Sequence, residues 1–436
     1  MNIYILTEIT KRELDPNILL ALIAAQKGYT VFISNMDTIE YLSSKKLITN
    51  GIFHTKSLVH DQRKQNLHIN LYNLGFKITS VDEENGLVEK KLDNFCAIRF
   101  SQKSLKFAHK IFCWGEDDYN NLIRVYKNHK KKFIKSGAPR IDLWKKKFMP
   151  YWLSTRKKQK KILVSLNFQL INGFESFEKK IQKLEFAGYF KRSAFYKKEV
   201  IEMSNQYKRD IINFKILINY LCNNLKDVLF IVRPHPVEKV STWKKMLKTR
   251  DNLVINNDGN FNSVLADSDL LIQCGCTTAF QAAMYDIPII SYSVNHKLKS
   301  HGVVANKLGY KISSKEEAKK KIKNFFLKKQ NFKVNTSKVL KKKLFIFRNK
   351  LSSSKIVEEW KKISLEKKNK TNNWTKIKLR LLFFDLKNFL KRDDKFEKFS
   401  ENEILNRIDK LKKILNIKDK FDVIKVSQKS FIIKKK

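Results

Sequence analysis

Short apolar runs alternate with amphipathic stretches through the first third of the chain. Such runs of β-branched and aromatic residues predict strands. The amphipathic stretch between the first two predicted strands indicates a helix that ends at Gly28. Strands separated by helices indicate a parallel sheet with helices on both faces. The predicted strands are 2–6, 29–34, 76–81, 110–114 and 132–136, and the helix is 16–27.

The same alternation begins again after residue 161. Helices are predicted at 240–248 and 279–285, between further apolar runs. The fold class is therefore α/β with two Rossmann-like domains, in which ligands bind beyond the carboxyl ends of the strands. The predicted strands of this half are 162–166, 228–232, 253–256, 270–273 and 287–292.

Two Lys-rich segments interrupt the alternation and divide the chain. The first, at 144–160, places a domain boundary near residue 150, and from about 331 onward no strand and helix alternation is detected. The predicted organisation is a Rossmann-like domain at 1–150, a second one at 151–335 and a basic helical extension at 336–436.

The net charge is large and positive. The 436 residues include 90 Lys and Arg against 42 Asp and Glu, a formal charge of +48. The surplus is mostly lysine and is spread through both halves, which favours a compositional background over a single nucleic-acid groove. No specific nucleic-acid partner is expected, although a nucleic-acid-binding protein remains the rival from another class.

The N-terminus and the cysteines indicate a cytoplasmic protein. The first residues have only a four-residue apolar stretch and no cleavage site, so no signal peptide is predicted. The longest apolar run, 18–25, is far shorter than the ~20 residues that span a bilayer. The five cysteines contain no CxxC pair and are expected to be reduced and mostly buried.

Two motifs in the second half follow predicted strands. In Cys274-Gly275-Cys276-Thr277-Thr278, the glycine permits close backbone approach and the threonines begin a helix that would attract a phosphate. In Arg233-Pro234-His235-Pro236, the prolines stiffen the turn that presents Arg233 and His235. The alternatives are a threonine that only caps its helix and a histidine satisfied within a rigid loop.

An acidic motif, Asp82-Glu83-Glu84-Asn85-Gly86, follows the predicted strand 76–81. A carboxylate at a strand end could serve as general base for a hydroxyl nucleophile, and a solvated acidic turn is the alternative. No metal-ligand motif is convincing. Asp267-Ser268-Asp269 matches the DxD pattern, but it leads directly into an apolar strand. The chain has no Walker loop, no complete GxGxxG and no GxSxG, which disfavours P-loop NTPases, ordinary NAD enzymes and hydrolase triads.

Together these motifs resemble the GT-B glycosyltransferases, and among them bacterial capsule and lipopolysaccharide biosynthesis proteins related to CMP-sugar transferases of the sialyl and Kdo type. The stretches FIKSGAPRIDLW (133–144) and CGCTTAFQAAMYDIPIISY (274–292) look like segments of this group, and the likeness covers about 1–330. The resemblance implies an acceptor domain at 1–150 and a nucleotide-sugar domain at 151–335.

The resemblance also implies roles for single residues. Glu83 or Glu84 would be the base, while His235, Thr277 and Thr278 would bind the donor phosphate. It implies inversion without a metal or a cofactor, a CMP-linked nucleotide-sugar as donor, and a glycan or lipid-linked acceptor. Arg233, Gly275 and Gln281 are further candidates for the donor site.

Two positions depart from the family pattern. Asn85 stands where a glycine is expected, which leaves open which acid is the base. Gln281 stands where many relatives have a glutamate for the ribose hydroxyls. Rivals within the fold are a glycerol- or ribitol-phosphate polymerase and a nucleotide-sugar epimerase.

The segment 374–391, WTKIKLRLLFFDLKNFLK, places Trp, Leu and Phe among regularly spaced basic residues. This pattern is typical of a helix lying on an anionic membrane, and equally of a helix whose apolar face packs on the domains. A peripheral contact with the inner membrane is thus one expectation for this segment.

Overall fold

The structure is a computed structural model that describes residues 1–84, 87, 96, 98–153, 159–294, 303–328, 334–365, 372–387, 397 and 399–436. Asn85 and Gly86 of the acidic motif lie outside the described residues, as do 388–391 of the basic C-terminal segment. The described strands are β1 (Asn2–Leu6), β2 (Thr30–Ser34), β3 (Gly51–Thr55), β4 (Phe76–Val81), β5 (Ala108–Cys113), β6 (Phe133–Lys135), β7 (Lys160–Ser165), β8 (Val228–Arg233), β9 (Leu253–Ile255), β10 (Leu270–Gln273), β11 (Ile289–Tyr292), β12 (Tyr310–Ile312), β13 (Phe421–Ser427) and β14 (Ser430–Lys435).

Helices separate most of these strands. Two short 3₁₀ segments, Lys127–Lys132 and Lys146–Phe148, accompany them. The described α-helices are α1 (Thr10–Gln26), α2 (Met36–Ser44), α3 (Gln62–Asn73), α4 (Gln102–Phe107), α5 (Glu116–Val125), α6 (Pro139–Leu143), α7 (Met149–Trp152), α8 (Gln169–Asn172), α9 (Phe177–Phe186), α10 (Tyr189–Arg192), α11 (Ala194–Asn224), α12 (Val240–Met246), α13 (Phe261–Ala266), α14 (Thr278–Met284), α15 (Val303–Asn306), α16 (Lys315–Phe326), α17 (Ser337–Lys343), α18 (Ser352–Lys361), α19 (Trp374–Lys387) and α20 (Glu401–Leu415).

The chain forms two compact units. Unit 1 comprises 1–86, 99–143 and 341–436, and unit 2 comprises 87–98 and 144–340. The sheet of unit 1 has the order β13-β14-β2-β1-β3-β4-β5-β6, with β1 to β6 parallel. The sheet of unit 2 is parallel throughout, with the order β12-β11-β10-β7-β8-β9. Both are doubly wound Rossmann-like sheets, which confirms the predicted fold class.

Each unit has its own apolar core on its sheet. In unit 2 the long helix α11 packs Phe214, Leu217 and Leu221 against strand residues such as Val164 and Phe230. In unit 1 one core cluster joins the aromatic residues Tyr4, Phe32, Phe53 and Phe76 of four adjacent strands. All five cysteines lie in the described part of the chain; none forms a disulfide, and all but the half-buried Cys274 are buried.

The start of α1 differs from the prediction. The helix begins at Thr10 and runs through Pro16, whereas the sequence predicts it only from residue 16. The additional turn contains Thr10, Glu13 and Asp15, which are polar and yet buried. Polar residues read as a loop in a hydrophobicity pattern, so the pattern alone misses this turn.

The C-terminal segment also corrects a prediction. Instead of a separate helical extension at 336–436, most of this segment is part of unit 1, and it adds two strands. β14 pairs antiparallel with β2, and β13 pairs with β14, so the hairpin extends the sheet by two strands. Its apolar residues alternate among many lysines, which hides the strand period in the sequence.

The hairpin should carry part of the stability of unit 1. Ile433 is fully buried where β14 pairs with β2, so Ile433→Ala should lower the free energy of unfolding by about 3 kcal/mol. The exposed Ile346 of the same unit is the matched control, and Ile346→Ala should cost less than about 1 kcal/mol. Urea denaturation measures both, and equal losses would contradict a structural role for the hairpin.

Candidate functional site

In unit 1, the polar residues of interest lie at the carboxyl ends of the parallel strands. The acidic motif follows β4, and Lys56 follows β3, the neighbouring strand. The Glu83 N–H donates to the Lys56 carbonyl oxygen at 3.1 Å, which joins the two loops. The strand order places the point where the connections reverse direction between β1 and β3, which is where ligands bind in such sheets.

Glu13 and Lys56 form a buried ion pair at this edge of the sheet. Their side chains are 1% and 8% exposed, and Lys56 Nζ lies 2.8 Å from Glu13 Oε1. The second carboxylate oxygen of Glu13 accepts the N–H groups of Glu8 and Ile9 at 2.8 and 3.1 Å. Burial raises the pKa of Glu13, but Lys56 and Arg12 outweigh that effect and the net pKa is lowered. Glu13 is therefore ionised and rigidly held.

Asp82 has a structural role. Its carboxylate accepts both bonds from Arg99 Nε at 2.9 and 3.0 Å, and its carbonyl oxygen accepts from Trp114 Nε1 at 2.6 Å. The Glu84 N–H donates to Asp82 Oδ1 at 2.9 Å, which shapes the turn. Asp82 thereby orients the two acids that follow it.

The structure separates the two candidate bases. Glu83 is 5% exposed, and Arg140 Nη1 lies 3.3 Å from its Oε2. Burial raises the pKa of Glu83 above the usual range, and the positive charge of Arg140 only partly offsets this. Glu84 is 47% exposed and pairs with Arg99 at 2.9 Å and Arg12 at 3.3 Å. Burial raises the pKa of Glu84, but these two cations outweigh it and the net pKa is lowered.

These opposite pKa shifts give the two carboxylates different basicity. A carboxylate with a raised pKa is the stronger proton acceptor while it is still ionised near neutral pH. Glu84 is instead neutralised by two arginines and is a poorer acceptor. The alternative of a solvated acidic turn does not describe Glu83, whose carboxylate is buried.

Arg140 lies in the 133–144 stretch and is a site residue that the sequence motifs do not identify. Besides the Glu83 carboxylate, its Nη1 reaches the Glu83 carbonyl oxygen at 3.1 Å. The motif is held by the C-terminal segment: Asp142 accepts the N–H groups of Ser352 and Ser353 at 2.8 Å each and so caps α18. Gly137 has φ +74°, and a Cβ there would collide with Ser352. The signal for Arg140 was thus the Gly-x-x-Arg-x-Asp pattern itself.

In unit 2, both predicted motifs lie at the carboxyl edge of one sheet. β8 precedes the RPHP loop, β10 precedes the CGCTT loop, and β7 lies between these two strands. The connections reverse direction between β7 and β10, which is the binding position in this fold. Thr278 Oγ1 donates to Ser165 Oγ at 3.1 Å and so links the loop after β10 to the end of β7. Thr277 is exposed just before α14.

Arg233 is occupied by the protein itself. Its guanidinium donates to the carbonyl oxygens of Asp258 and Gly259 at 2.6 Å each and of Asn257 at 3.2 Å, and it lies 5.9 Å from the Phe261 ring. This geometry supports a structural role in holding the loop after β9. Phosphate binding by Arg233 stays a prediction that the geometry does not favour.

His235 is held by Glu238, a residue the sequence analysis did not identify. Buried Glu238 accepts the N–H groups of His235 and Phe168 at 3.1 and 2.8 Å, and Trp243 Nε1 at 3.2 Å. The Val237 N–H donates to His235 Nδ1 at 3.4 Å. In a neutral ring with this contact, Nε2 would be the nitrogen that carries the proton. The ring is half-buried.

The glycine and the glutamine of the β10 loop also have defined places. Gly275 adopts φ +65°, and its N–H donates to Asn306 Oδ1 at 2.7 Å. Gln281 is buried in α14, and its Oε1 has no hydrogen-bond partner among the described residues. The same holds for Asn167 Oδ1 in the loop after β7. Such orphaned acceptors are what a ligand with hydroxyl or amino groups would satisfy.

Comparison with known proteins shows the fold. No family model matches the chain, and no curated protein is significantly similar to it. A solved structure of the wall teichoic acid polymerase TagF is similar over 83% of this chain and 88% of that one, at 11% identity and a TM-score of 0.53. A TagF variant soaked with CDPG has the same identity and coverage and a TM-score of 0.51. A UDP-N-acetylglucosamine 2-epimerase described as putative, from Listeria monocytogenes, is 10% identical, covers 83% and 97%, and has a TM-score of 0.50. The class of fold is therefore GT-B-like.

Two further observations concern metals and membranes. Among the described residues, no group of three or more His, Cys, Asp or Glu side chains is placed to hold a metal ion, and metal independence stays a prediction. None of the described helices combines the length and apolar character that crossing a bilayer requires.

The buried pair at the edge of unit 1 makes a stability prediction. Glu13→Gln removes the more buried of the two carboxylates that pair with Lys56 and leaves only Glu8, whose Oε2 lies 3.0 Å from the ammonium, so it should lower the free energy of unfolding by about 2 kcal/mol near neutral pH. Because the folded-state pKa of Glu13 is lowered, this contribution is present above the ordinary pKa of Glu and is lost as the pH falls through the folded value.

Glu84→Gln is the matched control in the same cluster. Its carboxylate is 47% exposed, so the loss should stay below about 1 kcal/mol. Urea denaturation of both variants at pH 7 and pH 4 measures the difference. A similar loss for the two would show that the buried pair does not organise this edge.

Proposed function

We propose that the protein is a glycosyltransferase of surface polysaccharide biosynthesis, of the capsule or lipopolysaccharide kind, which moves a sugar from a nucleotide-linked donor to a glycan or lipid-linked acceptor. The observation that carries the proposal is the contrast between Glu83 and Glu84 after β4. Glu83 is buried and its pKa is raised, whereas the charge of Glu84 is balanced by two arginines and its pKa is lowered. The GT-B-like fold supports it.

The proposed chemistry is a displacement with inversion. Glu83 takes the proton of the acceptor hydroxyl while the hydroxyl oxygen attacks the anomeric carbon of the donor sugar. The bond between that carbon and the nucleotide phosphate breaks at the same time. In unit 2, His235 Nε2, Thr277, Thr278 and the first N–H groups of α14 stabilise the departing phosphate. Gln281 and Asn167, whose oxygens lack partners among the described residues, are suited to ligand hydroxyls or amino groups. Because these groups meet the leaving charge, we propose that neither a metal nor a cofactor is required.

The proposed donor is CMP-linked, of the nonulosonate or Kdo type. This rests on the resemblance of the acidic, His-Pro and Thr-Thr motifs, since the solved neighbours share only the fold. CDP-linked and UDP-linked donors belong in the same test, because a polymerase or an epimerase would share a phosphate-binding loop.

The test is release of nucleotide from CMP-, CDP- and UDP-linked donors, with and without glycan acceptors and with EDTA. We expect acceptor-dependent release from one donor class that EDTA does not inhibit. Epimerised sugar without transfer would favour an epimerase, and transfer of glycerol phosphate would favour a polymerase. No turnover of any donor, together with tight RNA binding, would contradict an enzyme.

The two glutamates are each other's control in that assay. Glu83→Gln should lower kcat by roughly 10²–10⁴-fold, whereas Glu84→Gln should lower it by less than about fivefold. In the wild type, kcat/KM should fall on the acid side at a higher pH than an ordinary glutamate would give, because burial raises the pKa of Glu83. A wild-type rate for Glu83→Gln would refute its role, and one for His235→Ala would refute the proposed phosphate site.

We further propose that α19 lies on an anionic membrane. One face packs on unit 1: Ile377 and Leu381 are fully buried, and the Phe384 ring stacks 4.4 Å from Tyr41. This confirms the packing interpretation for that face. The opposite face is apolar too, since Leu379, Leu382, Phe383 and Leu386 are 56%, 50%, 59% and 72% exposed at helical spacing. Exposed Lys376, Lys378 and Arg380 accompany them.

An exposed apolar stripe flanked by cations fits the interface of an anionic bilayer, where apolar insertion and charge attraction add. Leu382→Glu combined with Phe383→Glu should weaken binding to phosphatidylglycerol-containing vesicles at least about tenfold in a sedimentation assay. Neutral phosphatidylcholine vesicles should bind the wild type poorly.

Ile212→Glu combined with Ile216→Glu is the matched control, because these residues are 55% and 46% exposed on α11. That variant should bind vesicles as the wild type does. Equal binding of all three proteins would remove α19 from the membrane contact.

A further inference from the structure

A cavity of about 470 Å³ lies among the helices that precede and begin α11 in unit 2. It is formed by α8, α9, α10 and the first turns of α11, a helical layer inserted after β7. The volume falls within the range of ordinary ligand sites and accommodates a small saccharide. Neither predicted motif contributes a lining residue, so the cavity is a separate feature of the unit.

The wall of the cavity is aromatic and apolar. Tyr189 and Tyr196 form one side, with ring centroids 6.1 Å apart and planes tilted by 32°. Leu184, Val200 and Met203 complete it. Tyrosine rings offer a flat apolar face together with a polar hydroxyl, which suits the C–H faces and hydroxyl groups of a sugar.

The charged side chains among the described lining residues are two lysines, Lys180 and Lys183, which lie on the same face of α9. The Lys180 ammonium donates to the carbonyl oxygens of Gln169 and Leu170, so Lys183 is the cation that remains for a ligand. Arg192 lies over the Tyr189 ring, 5.2 Å from its centroid. Lys183 pairs with Glu175 in an exposed contact, which a ligand anion can replace at little cost. The complementary ligand therefore carries a carboxylate or a phosphate.

The cavity adjoins the candidate donor loops through Tyr207. This lining residue packs edge to face on Phe168, with centroids 5.6 Å apart, and the Phe168 N–H donates to Glu238, the residue that holds His235. One turn further along α11, Asp210 Oδ2 lies 4.0 Å from Cys274 Sγ in the loop after β10. The helix α11, which contributes part of the cavity wall, therefore also packs beside the loops that carry the two motifs.

We propose that this cavity binds the acidic saccharide end of the acceptor, as a second acceptor contact outside the acceptor domain expected at 1–150, with Tyr189 and Tyr196 against the sugar and Lys183 on its anionic group. The acceptor role rests on the proposed transferase function, whereas binding of an acidic saccharide does not. Lys183 selects for the charge, and the tyrosines select for the ring.

Titration calorimetry without donor tests the proposal, with sialyllactose, lactose and octyl phosphate as probes. Sialyllactose should bind at least about tenfold more tightly than lactose, and added NaCl should weaken its binding. Tyr196→Ala should weaken it about tenfold, Tyr196→Phe should retain it, and Lys183→Gln should weaken it about threefold. Lys183 is exposed, so that variant keeps its fold.

The controls lie on the same helix, outside the cavity. Lys179→Gln and Phe186→Ala remove an exposed cation and an exposed aromatic ring of α9, and both should bind sialyllactose as the wild type does. Equal affinities for lactose and sialyllactose, tighter binding of octyl phosphate, or equal losses in the controls would overturn the proposal. Since no donor is present, the result is separate from whether any donor is turned over.

Discussion

The parallel alignment of strands within each sheet is the constraint on which the candidate sites depend. Parallel strands all have their carboxyl ends at the same edge of the sheet. Loops that are far apart in the chain therefore meet at that edge. In unit 2 this brings Ser165 and Thr278 within 3.1 Å, although 113 residues separate them. In unit 1 it brings the acidic turn beside Lys56 and Glu13.

Burial then decides what each charged group at these edges can do. Glu83 and Glu84 are chemically identical neighbours, yet one is enclosed with a single guanidinium at 3.3 Å and the other is shared between two arginines. The first gains basicity and the second loses it. Arg233 shows the converse case, because a cation well suited to phosphate has its donors on three backbone carbonyl groups.

Much of the architecture was predictable because strong local signals agree with the final fold. β1, β4 and β10 have the predicted bounds, and the helix before Gly28 ends one residue early. The predictions fail where a residue's environment overrides its polarity. The first turn of α1 is polar and buried, the short β3 was missed, and the C-terminal hairpin is concealed by lysines until β14 pairs with β2.

By itself, the sequence determined the two Rossmann-like units, the loops that carry the polar motifs and the adjacent acids that are candidates for the base. These follow from apolar periodicity and from turn-forming residues, which act over a few positions. Only the tertiary structure distinguished Glu83 from Glu84, assigned Arg233 to a loop, and joined Arg140 to α18 through Asp142. Burial and pairing between residues distant in the chain are properties of the folded molecule, because local sequence does not encode which side chains become neighbours.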